Sequence, residues 1–444
     1  MKLFKISLLM GLAALSLLLN GCIEDSCKQT MTYLTYEPVY KSYEEIRNGV
    51  GAEAPRDLRS PGKMYFKDSY IFISETDEGI HVINNQDPSN PQPVSFIRIP
   101  GVHDLAIRGD ILYADSYMDL LAINIADLNQ VTVAERVQNV FPFGMWHQGL
   151  WADPALGVAV DFIEKEVTEE IDCGWGGPNA GGLPRNGFFM EDARDNNIAS
   201  FASNSAVAAS TDTKVSFSGG AELSTGIGGS MARFTIVGDF LYAVTPSSII
   251  PVNISSLNNP VISPEVFLGW NIETVFPYEN KLFIGSTTGM IIYGLDKPDA
   301  PNFISIITHM NSCDPVVVEG DYAYVTLRDG TTCNTFTNQL DVVNISNVTN
   351  PRLEYSYPMT NPHGLGIRDG VLFICDGAAG LKIYDAADPG KITANQLAHF
   401  PGINTFDVIP LHNVLLMIGD DGLYQYDYSD LKDIKQLSLI PVVK

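Results

Sequence analysis

Gly79-Ile80-His81-Val82-Ile83-Asn84, followed by Asp87-Pro88-Ser89-Asn90-Pro91, is the stretch on which the fold turns. Six residues rich in β-branched side chains, with near alternation of apolar and polar, read as a β-strand, and the Asp/Asn/Pro cluster behind them supplies a turn. The pattern returns as Gly380-Leu381-Lys382-Ile383-Tyr384-Asp385 with Asp388-Pro389, and as Leu340-Asp341-Val342-Val343-Asn344-Ile345 with Asn350-Pro351. Looser copies lie at Leu120–Ile125, Ile249–Ile254, Met290–Gly294 and Gly422–Asp427. Ahead of each copy come a short apolar strand, a Gly/Asp/Asn turn and a strand rich in Leu, Tyr, Phe and Ile; behind it comes a closing strand.

Alignment of the copies on the first turn puts Asp68, Asp110, Asp239, Asn280, Asp321, Gly370 and Asn413 at one position, at spacings of 42, 129, 41, 41, 49 and 43 residues. A period near 42 with four strands per unit is what propeller blades require, because each blade buries its faces on its neighbours and a closed ring leaves no open edge. The expected fold class is therefore all-β: a seven-bladed β-propeller of four-stranded antiparallel blades over residues 59–444. The spacing of 129 exceeds one period by 87, which predicts a long insertion after the second blade, residues 143–230. Its second half, Gly174–Ser230, is rich in Gly, Ser, Asn and Ala and reads as an excursion. Its first half holds Gly157-Val158-Ala159-Val160-Asp161-Phe162, a repeat-like strand that leaves an eight-bladed alternative open.

The Gly-led strand ending in Asp, with Asp-Pro-x-Asn-Pro behind it, resembles the LVIVD repeat of exported bacterial and archaeal propellers. The resemblance covers roughly residues 59–444 apart from the insertion. It implies architecture and export; members mostly lack an assigned activity, so it implies no chemistry. The Trp-Asp dipeptide of WD-type blades, the paired glycines of kelch blades and the tryptophan docking pattern of quinoprotein propellers are not found.

Residues 1–21, MKLFKISLLMGLAALSLLLNG, combine Lys2 and Lys5 with an apolar run from Ile6 to Leu19, too short for a stable spanning helix and flanked like a secretory signal. Leu19-Asn20-Gly21-Cys22 resembles a bacterial lipobox, which makes Cys22 the lipidated residue and the membrane anchor. Glu24 and Asp25 resemble the acidic export tags of Bacteroidota surface lipoproteins. The expected location is the outer membrane or cell surface, with the periplasmic face as the alternative. Residues 22–58 are expected to be a tether, or a clasp in which Tyr33, Tyr36, Tyr40 and Tyr43 pack across the first or last blade.

A net charge of −25 excludes nucleic acid as a partner, since phosphate neutralisation needs clustered Lys and Arg. With Cys22 acylated, five cysteines remain, and the placement of Cys313 and Cys333 at the two ends of one hairpin predicts a disulfide between them.

First-strand entries and second-strand ends lie on the same face of a propeller. His103, Glu273, Asp314 and His363 fall at the entries, with Asp104 and Asp407 one step further on. Glu75, Asp115, Ser116, Thr287, Arg328, Asp329, Asp376 and Asp420 fall at the ends. The expected candidate ligand site is this acidic mouth, flanked by Trp146 and His147 of the insertion. Turn chemistry is the competing explanation for acids next to Gly, as in Asp376-Gly377. No cofactor or metal signature occurs, and calcium is the one ion an acidic ring invites. The expected function is a non-enzymatic, monomeric binding scaffold for an envelope protein or glycan, held to the membrane through its lipid alone. The alternative is an envelope hydrolase or lyase using mouth carboxylates as general acid and base.

Overall fold

A computed structural model of the chain describes residues 28–141, 152–153, 155–172, 225–269, 271–308, 315–329 and 337–443. Trp146, His147, Asp314, Cys22 and the Cys313–Cys333 pair lie outside the described residues. Two compact units emerge: Met1–Tyr40 with Ala159–Ala208, and Lys41–Val158 with Ala209–Lys444.

The larger unit is all-β, built among the described residues from seven antiparallel sheets, five of them four-stranded, one six-stranded and one five-stranded. Sheet 1 comprises Pro61–Lys67, Tyr70–Glu75, Gly79–Asn84 and Gln92–Arg98; sheet 2 comprises Leu105–Arg108, Ile111–Ser116, Asp119–Asn124 and Thr132–Val137. In sheet 3 (Phe234–Val237, Phe240–Val244, Ser248–Asn253) the outer edge is split between Val261–Ile262 and Val266–Phe267. Sheet 4 starts at Ile272–Tyr278, sheet 5 at Val316–Glu319, sheet 6 at Leu365–Arg368 and sheet 7 at Thr405–Pro410. The first strand of each sheet lies against that of the next, and the first strand of sheet 7 lies against that of sheet 1.

Alternation explains why the middle of each second strand is apolar on both faces. Ile71 and Ile73 of sheet 1 pack with Leu416, Ile418 and Leu423 of sheet 7, whereas Phe72 between them packs with the cluster that holds Leu112 and Leu121 of sheet 2. Both faces are thus buried, and each such side chain contributes roughly 1.5–3 kcal/mol of hydrophobic stabilisation.

The repeat has a local cause as well. In all seven sheets the amide just after the third strand donates to a carbonyl of the first turn: Asn85 to Ser69, Ile125 to Asp110, Ile254 to Asp239, Leu295 to Asn280, Ile345 to Asp321, Ala386 to Gly370 and Tyr428 to Asn413, at 2.7–3.1 Å. These are the aligned positions, except that Ser69 replaces Asp68 in the first copy. The Asp/Asn/Pro cluster folds into paired Asx turns, in which Asn84 Oδ1 accepts from the Gln86 amide and Asp87 Oδ1 from the Ser89 amide, both at 3.0 Å.

Sheets 1 and 7 are tied together by chain ends and side chains. Leu58 forms a parallel bridge with Val442 and accepts from the Val443 amide at 2.8 Å. Asn85 and Gln425 exchange two side-chain hydrogen bonds, and Ser438 Oγ donates to the Pro88 carbonyl. Upstream, Ser42 caps the helix Tyr43–Arg47 in a capping box with Glu45, and Gly51–Glu53 adds a strand to the outer edge of sheet 1. The clasp is therefore made by residues 42–58. The tyrosines expected to form it differ in placement: Tyr33, Tyr36 and Tyr40 sit on the long strand Lys28–Lys41.

That strand pairs with Gly157–Asp172. Thr32 and Thr168 share a hydrogen bond, Thr35 donates to the Lys165 carbonyl, and Lys165 pairs with Glu37. The repeat-like stretch at 157–162 thus belongs to a three-stranded sheet and heads no four-stranded one among the described residues.

Candidate functional site

The second-strand ends explain part of the acidic ring. Asp115 Oδ1 accepts from the amides of His103 and Asp104 at 2.8 and 2.9 Å. Asp376 accepts from the amides of Thr360 and Asn361 and from Lys382 Nζ, and Glu75 accepts from the amides of Arg59 and Ser60. In sheets 1, 2 and 6 the acid thus clamps the chain as it enters the first strand by accepting from its backbone amides. Hairpin chemistry adds to this at Asp376, since Gly377 has φ +54°. Asp420 accepts from Asn404 Nδ2 at 2.7 Å, and Asp329 donates its amide to Asn338.

Four of the expected site residues converge on one network inside the cycle of first strands. Asp104, Asp115, Glu273 and Asp407 surround Lys63 and Arg233, with the aspartates buried. The space between them is taken by the chain's own segment Thr225–Arg233. Ile227 and Gly228 pair with Phe66 and Tyr65 of sheet 1, Thr225 bridges to Arg108 of sheet 2, and Gly226 donates to the Ile107 carbonyl. Ser230 Oγ donates to Asp407 Oδ1 of sheet 7 at 3.0 Å and accepts from the Leu365 amide of sheet 6 at 2.9 Å. Lys63 Nζ donates to the Met231 carbonyl, the Val275 amide of sheet 4 donates to the Ala232 carbonyl, and Arg233 gives its amide to Asp104 and its Nε to the Glu273 carbonyl. Asp407 itself is wedged between two glycines: a Cβ at Gly229 or Gly364 would stand 2.0 or 2.2 Å from its carboxylate oxygens. Residues 225–230, assigned by sequence to the insertion, are thus bonded to the sheets.

Burial pushes the Asp104 carboxyl up to about 6, against the pull of Lys63 and of the Arg233 and Leu105 amides. Asp407 is raised for the same reason, and burial holds Lys63 and Arg233 below their ordinary values. A raised carboxyl takes up a proton on folding, so its contribution to stability grows as the pH falls from above 6 towards the ordinary 3.8. Facing Asp104 are Lys63, Arg233 and Asp115, with Glu273 and Asp407 completing the network. We expect Asp104 to contribute about 1 kcal/mol more stability at pH 5.5 than at 7.5, against the opposing contribution of His363, held at about 4. Urea midpoints of wild type and Asp104→Asn at the two pH values isolate the aspartate: wild-type stability relative to the variant should fall as the pH rises from 5.5 to 7.5, and a relative stability that stays level or rises would refute it.

The two histidines occupy matching entries in different surroundings. Burial alone would lower His103, but Asp115 and Asp77, 3.5 and 3.7 Å from its ring nitrogens, outweigh it and raise the pKa. His363 packs against Phe406, and burial together with Arg328 holds it down to about 4. One is poised to be cationic, the other stays neutral, so the mouth is not a uniform ring.

No protein-family model matches the chain, and no curated protein matches it. Among solved structures it is similar to a functionally unknown protein from Desulfotomaculum acetoxidans (TM-score 0.49, 10% identity, covering 84% of this chain and 97% of that one). It is also similar to BamB from Moraxella catarrhalis (0.46, 8%, 88% and 97%) and to PorZ, a surface component of the type-IX secretion system of Porphyromonas gingivalis (0.45, 13%, 88% and 40%). Similarities of this size carry no information on activity.

Sequence reasoning missed Lys63, Ser230 and Arg233. A signal existed for the first, a lysine inside the apolar first strand Pro61–Lys67. Ser230 and Arg233 lie at the end of an aperiodic stretch and gave none. Among the described residues no group of His, Cys, Asp and Glu is arranged to hold a metal ion.

Proposed function

We propose that the chain is an exported lipoprotein of the LVIVD-repeat type, a seven-bladed β-propeller anchored through Cys22 that serves as a binding scaffold for a protein or glycan at the cell envelope. Support for seven blades comes from the seven sheets with one repeated turn hydrogen bond and from first strands that contact one another in a cycle. Among the described residues no helix is long and apolar enough to cross a membrane. In this reading the lipid on Cys22 provides attachment, at the outer membrane or cell surface.

The observation that carries the scaffold reading is the filled interior. An enzyme working from central carboxylates needs a substrate-sized space beside them, and Thr225–Arg233 takes that space while bonding to Asp104 and Asp407. The hydrolase or lyase alternative draws on Asp104, whose carboxyl at about 6 suits a general acid. The two readings separate on one experiment. Proximity labelling in the native cell identifies the partner, which the purified mature protein then captures. Asp104→Asn leaves capture intact if the scaffold reading holds. Loss of capture, or of a turnover found with envelope glycans, in Asp104→Asn would move the function into the interior. Cys22→Ser in the same cells releases the protein from the membrane fraction, and continued attachment would end the anchor proposal.

A further inference from the structure

Neighbouring sheets are tied by a hydroxyl that reaches the next sheet's turn between third and fourth strands. Tyr113 of sheet 2 donates to the Leu257 carbonyl of sheet 3, Tyr242 to Pro298 of sheet 4, Ser305 to Val348 of sheet 5, Tyr357 to Pro389 of sheet 6, and Ser438 of sheet 7 to Pro88 of sheet 1, at 2.6–2.9 Å. From sheet 6 to sheet 7 the tie is a backbone bond, Gly364 amide to Phe406 carbonyl at 2.8 Å. A second kind of tie joins the last residue of a first strand to the next sheet's first turn. Arg108 pairs with Asp239, the Gly320 amide donates to the Tyr278 hydroxyl, and Glu319 accepts from the amides of Asp369 and Gly370.

Among the described residues neither tie is made between sheets 1 and 2. Phe72 stands where Tyr113 and Tyr242 carry their hydroxyls, each being the third residue of its second strand. Ser95 shares its register with Ser305 and Ser438, opposite Val82, Ile292 and Gln425, yet its Oγ is buried without a hydrogen-bond partner. Lys67, at the place of Arg108, Tyr278 and Glu319, turns its ammonium back onto Asp68. Where the two ties would end lies a cavity of about 170 Å³, lined by Phe72 with Leu128 and by Lys67 with Gly109 and Asp110. Its walls forgo the dispersion contacts and hydrogen bonds that the other seams make, so this side of the seam is weakly held.

The fastenings that remain lie elsewhere. At the mouth the Asp77 amide donates to the Val102 carbonyl at 3.0 Å, and Ser74 Oγ to the His103 carbonyl at 3.4 Å. At the inner edge Tyr65 donates to the Ile107 carbonyl at 3.4 Å, and residues 225–228 bond to both sheets. At the outer rim Arg47 binds Asp119 and Arg136 of sheet 2, while Gly51–Glu53 pairs with the outer strand of sheet 1. Packed bodies fastened along one side move about that side. We infer that the seam between sheets 1 and 2 is the joint in the cycle of sheets: sheet 1 swings about its mouth-side bonds, the cavity widens on the first-turn side, and the seam admits water while both sheets stay folded.

Thiol labelling of the folded protein tests it. Val82 and Val342 are each the fourth residue of a third strand and fully buried; Val82 faces this seam, and Val342 faces the seam between sheets 5 and 6, which carries both ties. The thiol of Val82→Cys should react at least tenfold faster than that of Val342→Cys, with sites resolved by peptide mass spectrometry. Phe72→Tyr gives the seam the hydroxyl it lacks, within a cavity that Leu128 also lines. It should slow the Val82→Cys reaction at least threefold and raise the urea midpoint. Phe283→Tyr, at the matching position of sheet 4, where Ser305 already donates to the Val348 carbonyl, should lower the midpoint. The two tyrosine variants carry the test by themselves if a cysteine variant misfolds. Equal reaction of the two thiols, or a Phe72→Tyr protein no more stable than the parent, would overturn the joint.

Discussion

Gly229→Val is expected to destabilise the protein by on the order of 3 kcal/mol, because the new side chain cannot share space with Asp407. A Cβ at residue 229 meets the Asp407 carboxylate at 2.0 Å for Oδ2 and 2.7 Å for Cγ, and Gly364 blocks that carboxylate's retreat from the other side. The segment must back away, and with it go the Ser230 bonds to Asp407 and Leu365 and the Ala232 bond to Val275. Hydrogen exchange gives the specific readout: the Leu365 and Val275 amides lose protection well before the Ile345 amide, whose partner Asp321 lies in a turn of sheet 5. Gly51→Ala is the comparison, since nothing lies within 4 Å of its added Cβ, and it should cost little. Equal stability of Gly229→Val and the parent would show that the interior tolerates withdrawal of the segment.

Asp119→Ala should be nearly as damaging, at about 3 kcal/mol, through charge. Asp119 is 1% exposed, pairs with Arg47 Nε at 3.0 Å and Arg136 Nη1 at 3.1 Å, and accepts from the Asn139 amide at 3.0 Å. Its removal strands Arg136, a guanidinium that burial already disfavours, and cuts the helix Tyr43–Arg47 loose from sheet 2. Replacing Asp119 by Leu and Arg136 by Met together should recover most of the loss, because the more buried of its two cations is then gone and Arg47, a quarter exposed, can reach water. Thermal unfolding of the two singles and the double measures the coupling. If the double is as unstable as Asp119→Ala, the damage comes from the Asn139 amide and packing instead of the ion pair.

The architecture was legible because it is written locally and many times. A turn residue that closes onto the end of the third strand can be aligned by eye, and six of the seven aligned positions accept that bond, the slip to Ser69 being a single residue. The carboxylates at strand entries were legible for the same reason: period fixes position. Their use was not. Asp115, Asp376 and Glu75 spend their oxygens on amides one strand back, a role that depends on chain path. Asp104 and Asp407 are answered by Ser230 and Arg233, which arrive after a 129-residue gap through a stretch with no apolar rhythm to align. Composition alone marks Gly226, Gly228 and Gly229 as loop, whereas a Cβ at Gly226 would strike Tyr65 and Phe66. Glycine there serves close approach.

The route of the chain also orders its assembly. Sheets 1 and 2 emerge first during synthesis, yet their inner edges at Tyr65, Phe66 and Ile107 gain partners only when residues 225–228 have followed. Asp407 waits at the other end of the sequence for the same segment. Contacts so distant along the chain make the closing step slow, and they leave the early sheets with bare strand edges for as long as the later ones are being delivered. For such a polypeptide the hazardous interval lies between emergence of the first sheets and closure, when a chaperone that shields strand edges would matter most.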